Sequence, residues 1–106
     1  MDYEIKEDRI FLKRRPEEKQ PITSRLAKIE GQVRAIRQMI EEGRYCGDEL
    51  MLSNAVTAAM REVAILIASQ HLQTGIQHAA KQADGEAVVA DLTAVLRAAM
   101  KVGDGA

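Results

Sequence analysis

From Asp48 to about Gln82 the chain contains no proline, and its one glycine in that stretch is Gly75. Leu52, Val56, Ala59, Val63 and Leu66 keep a heptad-like spacing, which Leu72 and Ile76 continue. This pattern predicts a single helix of ~35 residues, about 50 Å long at 1.5 Å per residue. A chain of 106 residues has too little else to cover so long an apolar stripe. The surplus surface therefore predicts a partner subunit.

The segments on either side are shorter. Leu26, Ile29, Val33, Ile36 and Ile40 step by three and four, so they mark a first helix with one apolar stripe. Thr23 or Ser24 is expected to cap its start, and Gly43 to end it in a left-handed closing conformation. Asp84-Gly85 breaks the chain, with Asp84 as the expected cap of a third helix lined by Val88, Val89, Leu92, Val95 and Leu96. Residues 1–21, with mixed charges and both prolines (Pro16 and Pro21), read as a mobile charged arm, with at most a turn of order around Ile10–Leu12. The expected division is thus an arm over 1–21, a three-helix domain over 22–102 and a tail over 103–106. The aromatics are only Tyr3, Phe11 and Tyr45. A core of Leu, Ile, Val, Met and Ala suits an all-α fold.

Net charge is −1, but it is unevenly distributed. Residues 9–37 carry nine basic side chains against three acidic ones, a net of +6, while residues 1–8 sum to −3 and 38–106 to −4. A chain this polarised can present a basic face to a polyanion and remain near neutral overall. From charge alone the plainer reading is a solvated tail and helix face, and with so few aromatics stacking on single strands or RNA is not expected. Cys46 is the only cysteine, so no intrachain disulfide can form and a reducing compartment suits the chain. The charged opening residues do not resemble a secretory signal, and no apolar stretch is expected to approach the ~20 residues that span a bilayer. The expectation is a cytoplasmic protein with no membrane partner.

Thiolate and imidazole are frequent ligands of soft and borderline metals, which singles out Cys46, His71 and His78. Cys46 opens the long helix and His71 lies 25 residues further on, about 37 Å away along a straight axis. They cannot meet within one chain. In an antiparallel pair of long helices, however, Cys46 of one chain can face His71 of the other, giving a twofold dimer two identical sites. His71 and His78 are seven residues apart, roughly 10 Å along the axis, too far for one ion. A helix N-terminus with Arg44 nearby is an electropositive place for a thiolate, the form that binds metals and attacks electrophiles. Taken singly, Cys46 reads more readily as a packing thiol and His71 as a surface imidazole than either does as a ligand. No glycine-rich phosphate loop or acid–base pair is present, so an enzyme is not expected.

Taken together, the run Arg25-Leu26-Ala27-Lys28-Ile29-Glu30-Gly31-Gln32-Val33-Arg34-Ala35-Ile36 resembles the opening helix of the CsoR/RcnR/FrmR repressors. Met39-Ile40-Glu41-Glu42-Gly43-Arg44-Tyr45-Cys46 and the pair His71-Leu72 extend the resemblance over roughly residues 23–101. It implies a three-helix chain with one very long central helix, forming an antiparallel dimer and then a disc-shaped tetramer. It further implies Cys46 and His71 as effector ligands from different subunits, with Tyr45 and Asp91 supporting them. Arg25 corresponds to a basic residue of the DNA-contacting face, which Lys28, Arg34 and Arg37 are expected to extend. The family's copper sensors carry a cysteine four residues after the histidine, and its nickel and cobalt sensors a histidine; this chain has Gly75 there. Formaldehyde sensors dispense with that ligand and use an N-terminal amine, to which Lys13 is nearest in register.

The resulting expectation is a repressor released from double-stranded operator DNA by formaldehyde or a transition-metal ion (copper, nickel, cobalt or zinc), with no obligatory cofactor. The rival readings are an oligomeric helical scaffold without a sensing role and a cysteine-based aldehyde-handling enzyme.

Overall fold

The computed structural model describes residues 1–81 and 85–101. Five elements follow in order: β1 (Asp2–Lys6), β2 (Arg9–Lys13), α1 (Pro16–Glu42), α2 (Cys46–Lys81) and α3 (Gly85–Lys101). The three helices and the dominant central one agree with the sequence reading. At 36 residues, α2 is about 54 Å long and sets the molecule's 59 Å longest dimension. The radius of gyration is 17.6 Å, against about 13 Å for a compact chain of this length.

Gly43 closes α1 as expected, at φ 67°. The turn sends α2 back along α1, so that Gln70 Nε2 donates to the Glu18 carbonyl at 3.1 Å. Between these ends Ile22 and Ile29 of α1 pack with Val63 of α2, flanked by Leu26, Val56, Ala59 and Leu66. A second cluster joins Ile10, Val88 and Leu92, with Tyr3, Ile5, Leu12, Leu72 and Ala79 against them. Only seven apolar side chains are buried among the described residues, whereas Leu50, Met51, Met60, Ile65, Ile67 and Ile76 of α2 are exposed. One window of α2 reaches a mean hydropathy of 1.5 and is only 6% buried. By length and composition alone α2 could cross a membrane, which corrects the expectation that no segment would.

The N-terminal arm also differs from the sequence reading. β1 and β2 form an antiparallel hairpin in which Tyr3 faces Leu12 and Ile5 faces Ile10. The inward side chains alternate with charged ones and with the exposed Phe11, so one face of the hairpin is laid on the helices. Its two-residue turn, Glu7-Asp8, has φ of 51° and 61°. A tight two-residue turn matched to strand twist wants positive φ at both positions, which favours Asn-Gly. Replacing Glu7-Asp8 by Asn-Gly is therefore expected to stabilise the hairpin by about 1–2 kcal/mol, read as slower amide exchange across β1 and β2.

α1 begins at Pro16, not at Thr23 or Ser24. Proline fits a first helical position, where no intrahelical N–H bond is needed. The Glu18 carboxylate accepts the Arg15 N–H at 2.9 Å, and this bond holds the Glu18 carboxyl below its usual range. Pro21 then lies inside the helix. Thr23 does not cap a helix start; its hydroxyl donates back to the Lys19 carbonyl at 3.2 Å. The expected Asp84 cap and the 103–106 tail lie outside the described residues.

Candidate functional site

Cys46 is the first residue of α2, and its thiol is exposed. The Tyr45 carbonyl accepts the N–H groups of Asp48 and Glu49 at 3.1 and 3.3 Å, which starts the helix. Tyr45 is 75% exposed, and its ring lies beside the Gly47 backbone, where any side chain would collide with it. A thiol and a phenol thus stand at a helix N-terminus, both exposed among the described residues.

His71 is on the same helix, 25 residues on, so one straight α2 keeps it about 37 Å from Cys46. Its Nε2–H donates to Asp91 Oδ2 of α3 at 2.8 Å, with the two side chains only 13% and 9% exposed. The same oxygen accepts the Ile10 backbone N–H at 3.1 Å. His71 is therefore fixed by a carboxylate that is itself held by the hairpin. With Nε2 engaged, Nδ1 is the ring nitrogen left to meet a ligand, an arrangement typical of metal-binding histidines. Sequence inspection alone did not tie Asp91 to His71; the resemblance suggested Asp91, and the geometry supplies the bond.

His78 belongs to a different contact. It is buried, its Nδ1 shares a 2.8 Å hydrogen bond with the Tyr3 hydroxyl, and the two rings meet edge to face at 5.3 Å. Gly75, between the histidines, is buried too. A Cβ there would lie 3.0 Å from Leu92 Cγ and 3.1 Å from Ile10 Cδ1, with Leu92 Cδ2 closer still. Neither Tyr3 nor Ile10 was singled out from the sequence. Their alternation with Ile5 and Leu12 was the available signal. Among the described residues no three His, Cys, Asp or Glu side chains converge as a metal cage within one chain.

Lys13 stands on β2 with its ammonium 3.2 Å from Glu4 Oε2. Arg25, Lys28, Arg34 and Arg37 are all exposed on α1, but they do not form one patch. Arg25 and Lys28 line a groove against α2 with Ala55, Ala59 and Glu62. Arg34 and Arg37 line another on the far side of the apolar stripe, with Leu26 and Val33.

A helical chain with a basic first helix, an exposed cysteine and a carboxylate-held histidine on one long helix has the design of a sensor-type regulator. The match to the metal-sensitive transcriptional repressor family, over residues 18–98, is direct: the chain belongs to that family. It is 44% identical over 80 residues to the copper-sensing transcriptional repressor CsoR of Bacillus subtilis, covering 76% of this chain and 79% of that protein. It is 40% identical over 74 residues to the copper-sensing transcriptional repressor RicR of Mycobacterium tuberculosis, covering 66% and 77%. Among solved structures, the copper-sensing repressor CsoR with Cu(I) from Geobacillus thermodenitrificans superposes with a TM-score of 0.74 at 34% identity, over 82% of this chain and 91% of that one. The nickel-responsive transcriptional regulator InrS gives 0.71 at 34% identity, over 76% and 90%. The hairpin precedes the family-matched segment.

Proposed function

We propose that this protein represses transcription by binding double-stranded operator DNA and leaves it when a transition-metal ion binds between Cys46 of one subunit and His71 of an antiparallel partner. The observation that carries this reading is His71: its Nε2 is held by Asp91 and its Nδ1 is left for a ligand, with the only thiol at the other end of α2. Two such chains side by side bring each cysteine to the other's histidine. Asp91 orients the imidazole and makes it a better donor to a cation. Tyr45 flanks the sulfur. Copper and nickel are the first candidates, because relatives at 34–44% identity respond to them; cobalt and zinc suit the same donors.

The exposed apolar surface of α2 supports assembly into dimers and tetramers. It does not favour a bilayer, because Arg61 and Glu62 sit midway along the helix, where charge in hydrocarbon is costly. The protein acts in the cytoplasm, where its operator is, and turns over no substrate. DNA is held by phosphate contacts from Arg25, Lys28, Arg34 and Arg37. Several copies are needed to join the two flanks of α1 into one field.

A specific observation favours a second effector. Gly75 supplies no donor, and the space over it is filled by Leu92 and Ile10, so this position adds no third donor to the thiol and the imidazole. A thiol can add to the carbonyl of formaldehyde without a third donor. Lys13, on the same strand as Ile10, is the amine for a second bond in that case.

The test is operator binding followed by release. Wild type is expected to bind its promoter duplex with a steep salt dependence, and Arg25→Ala to bind more weakly with a log–log salt slope shallower by about 1. Copper(I), nickel, cobalt, zinc and formaldehyde are then added in turn. Failure to bind that duplex at low salt contradicts the repressor reading, and release by none of the five contradicts the effector reading.

A further inference from the structure

The hairpin touches α2 and α3 at three points near His71. Ile10, only 5% exposed, sits over Gly75, a position with no room for a side chain. The Ile10 N–H is bonded to the oxygen of Asp91 that also takes the His71 Nε2–H. Tyr3 is bonded to His78, two turns along the same helix. Just beyond β2, Arg14 Nε donates to Gln70 Oε1 at 2.6 Å, and Gln70 also binds the first turn of α1 through the Glu18 carbonyl.

We infer that the N-terminal β-hairpin is a lid belonging to the effector site, with Ile10 and Tyr3 as positioning residues that set how tightly His71 takes a metal ion. The inference rests on the proposed Cys46–His71 site and adds to it a part that lies outside the family-matched residues. Asp91 can hold His71 in one orientation only while its own carboxylate is held, and the Ile10 N–H is a bond that holds it. The effect is reciprocal. A cation on Nδ1 makes Nε2–H a stronger donor, which fixes Asp91 more firmly and so secures the bond from Ile10. Docking the hairpin raises metal affinity, and metal tightens the docked hairpin, by the same factor. The seal over Gly75 also excludes water from this flank of the imidazole. Because Arg14 and Gln70 join the hairpin base to the start of α1, the tightened lid bears directly on the basic helix.

The experiment titrates the full-length protein with copper(I) and nickel(II), each against a competing chelator, and follows amide exchange at Ile10. Tyr3→Phe, which removes only the hydroxyl, and Ile10→Ala, which keeps the N–H bonded to Asp91 but removes the side chain packed over Gly75 and against Val88 and Leu92, are compared with wild type. Metal is expected to slow Ile10 exchange in the wild type, and each variant to bind metal about tenfold more weakly while keeping its helix content and operator affinity. A hairpin with a purely structural role would not report metal at the Ile10 amide. Metal binding with unchanged Ile10 exchange and equal affinities in both variants overturns the lid and leaves the site standing. Failure of the wild type to bind either ion overturns the site and, with it, the coupling.

Discussion

Gly75→Leu is expected to lower the thermal midpoint of unfolding by roughly 8–16 °C, the shift that a net loss of about 2 kcal/mol produces in a domain of this size. Gly75 lies in the interior of a 36-residue helix, where glycine is about 1 kcal/mol worse than alanine. On propensity alone, any replacement should help. Packing decides otherwise. Even a Cβ at this position meets Leu92 and Ile10 within 3.1 Å, and Leu92 is only 9% exposed. Adding methylenes to such a place costs about 1–3 kcal/mol or more, which outweighs the propensity gain. Two neighbours must give way. Ile10 can leave with the hairpin, but Leu92 cannot move without disturbing the packing of α3 on α2. Calorimetry with amide exchange separates the two responses: the hairpin amides lose protection first, and α3 loosens with them. A variant as stable as the wild type would show that the hairpin and α3 are not packed against Gly75 as described.

Cys46→Ala is expected to bind the operator as the wild type does and to lose its response to metal. An exposed thiol at a helix start contributes little to folding, so truncation should leave stability within about 0.5 kcal/mol. Its loss removes the only thiolate donor, an effect larger than the 10–100-fold that follows loss of a residue merely supporting a ligand. Asp91→Ala, which frees His71 from its carboxylate, should fall in that 10–100-fold range. A tenfold drop in operator affinity on metal binding needs ~1.4 kcal/mol of coupling, well within what one metal–thiolate bond between subunits can supply. DNA-release titrations of the two variants beside wild type give the ranking, with Cys46→Ala the more severely affected.

Much of this architecture could be read from the sequence. The proline-free run announced α2, the three-and-four spacing of Leu26, Ile29, Val33 and Ile36 announced α1, and Gly43 marked a turn that it does close. The hairpin was hidden for a physical reason: its strands are five residues each, and its turn uses Glu7-Asp8 in place of the glycine or asparagine that usually signals one. Pro21 concealed the true start of α1, because an interior proline normally argues against a helix. Capping by Glu18 and the tie to Gln70 carry the helix through it. For the proposed site, residue type singled out Cys46 and His71 in the sequence, and the family resemblance paired them. The Asp91–Ile10 bond was not, since it joins residues 81 positions apart and one partner is a backbone N–H. The missing ligand at Gly75 was visible as a glycine, but only the packing of Ile10 and Leu92 shows that the position is filled.

The most direct measurement is a subunit-complementation titration. Cys46→Ala and His71→Ala chains are unfolded together, refolded as a mixture and titrated with copper(I) or nickel(II), beside each variant alone. If the site is shared, each mixed dimer carries one intact pair, with Cys46 from one chain facing His71 from the other. Random pairing then restores about a quarter of the wild-type sites, with DNA release recovered at those sites, while each variant alone restores none. If every site were built within one chain, mixing would restore nothing, and no binding above that of the separate variants would contradict the shared site.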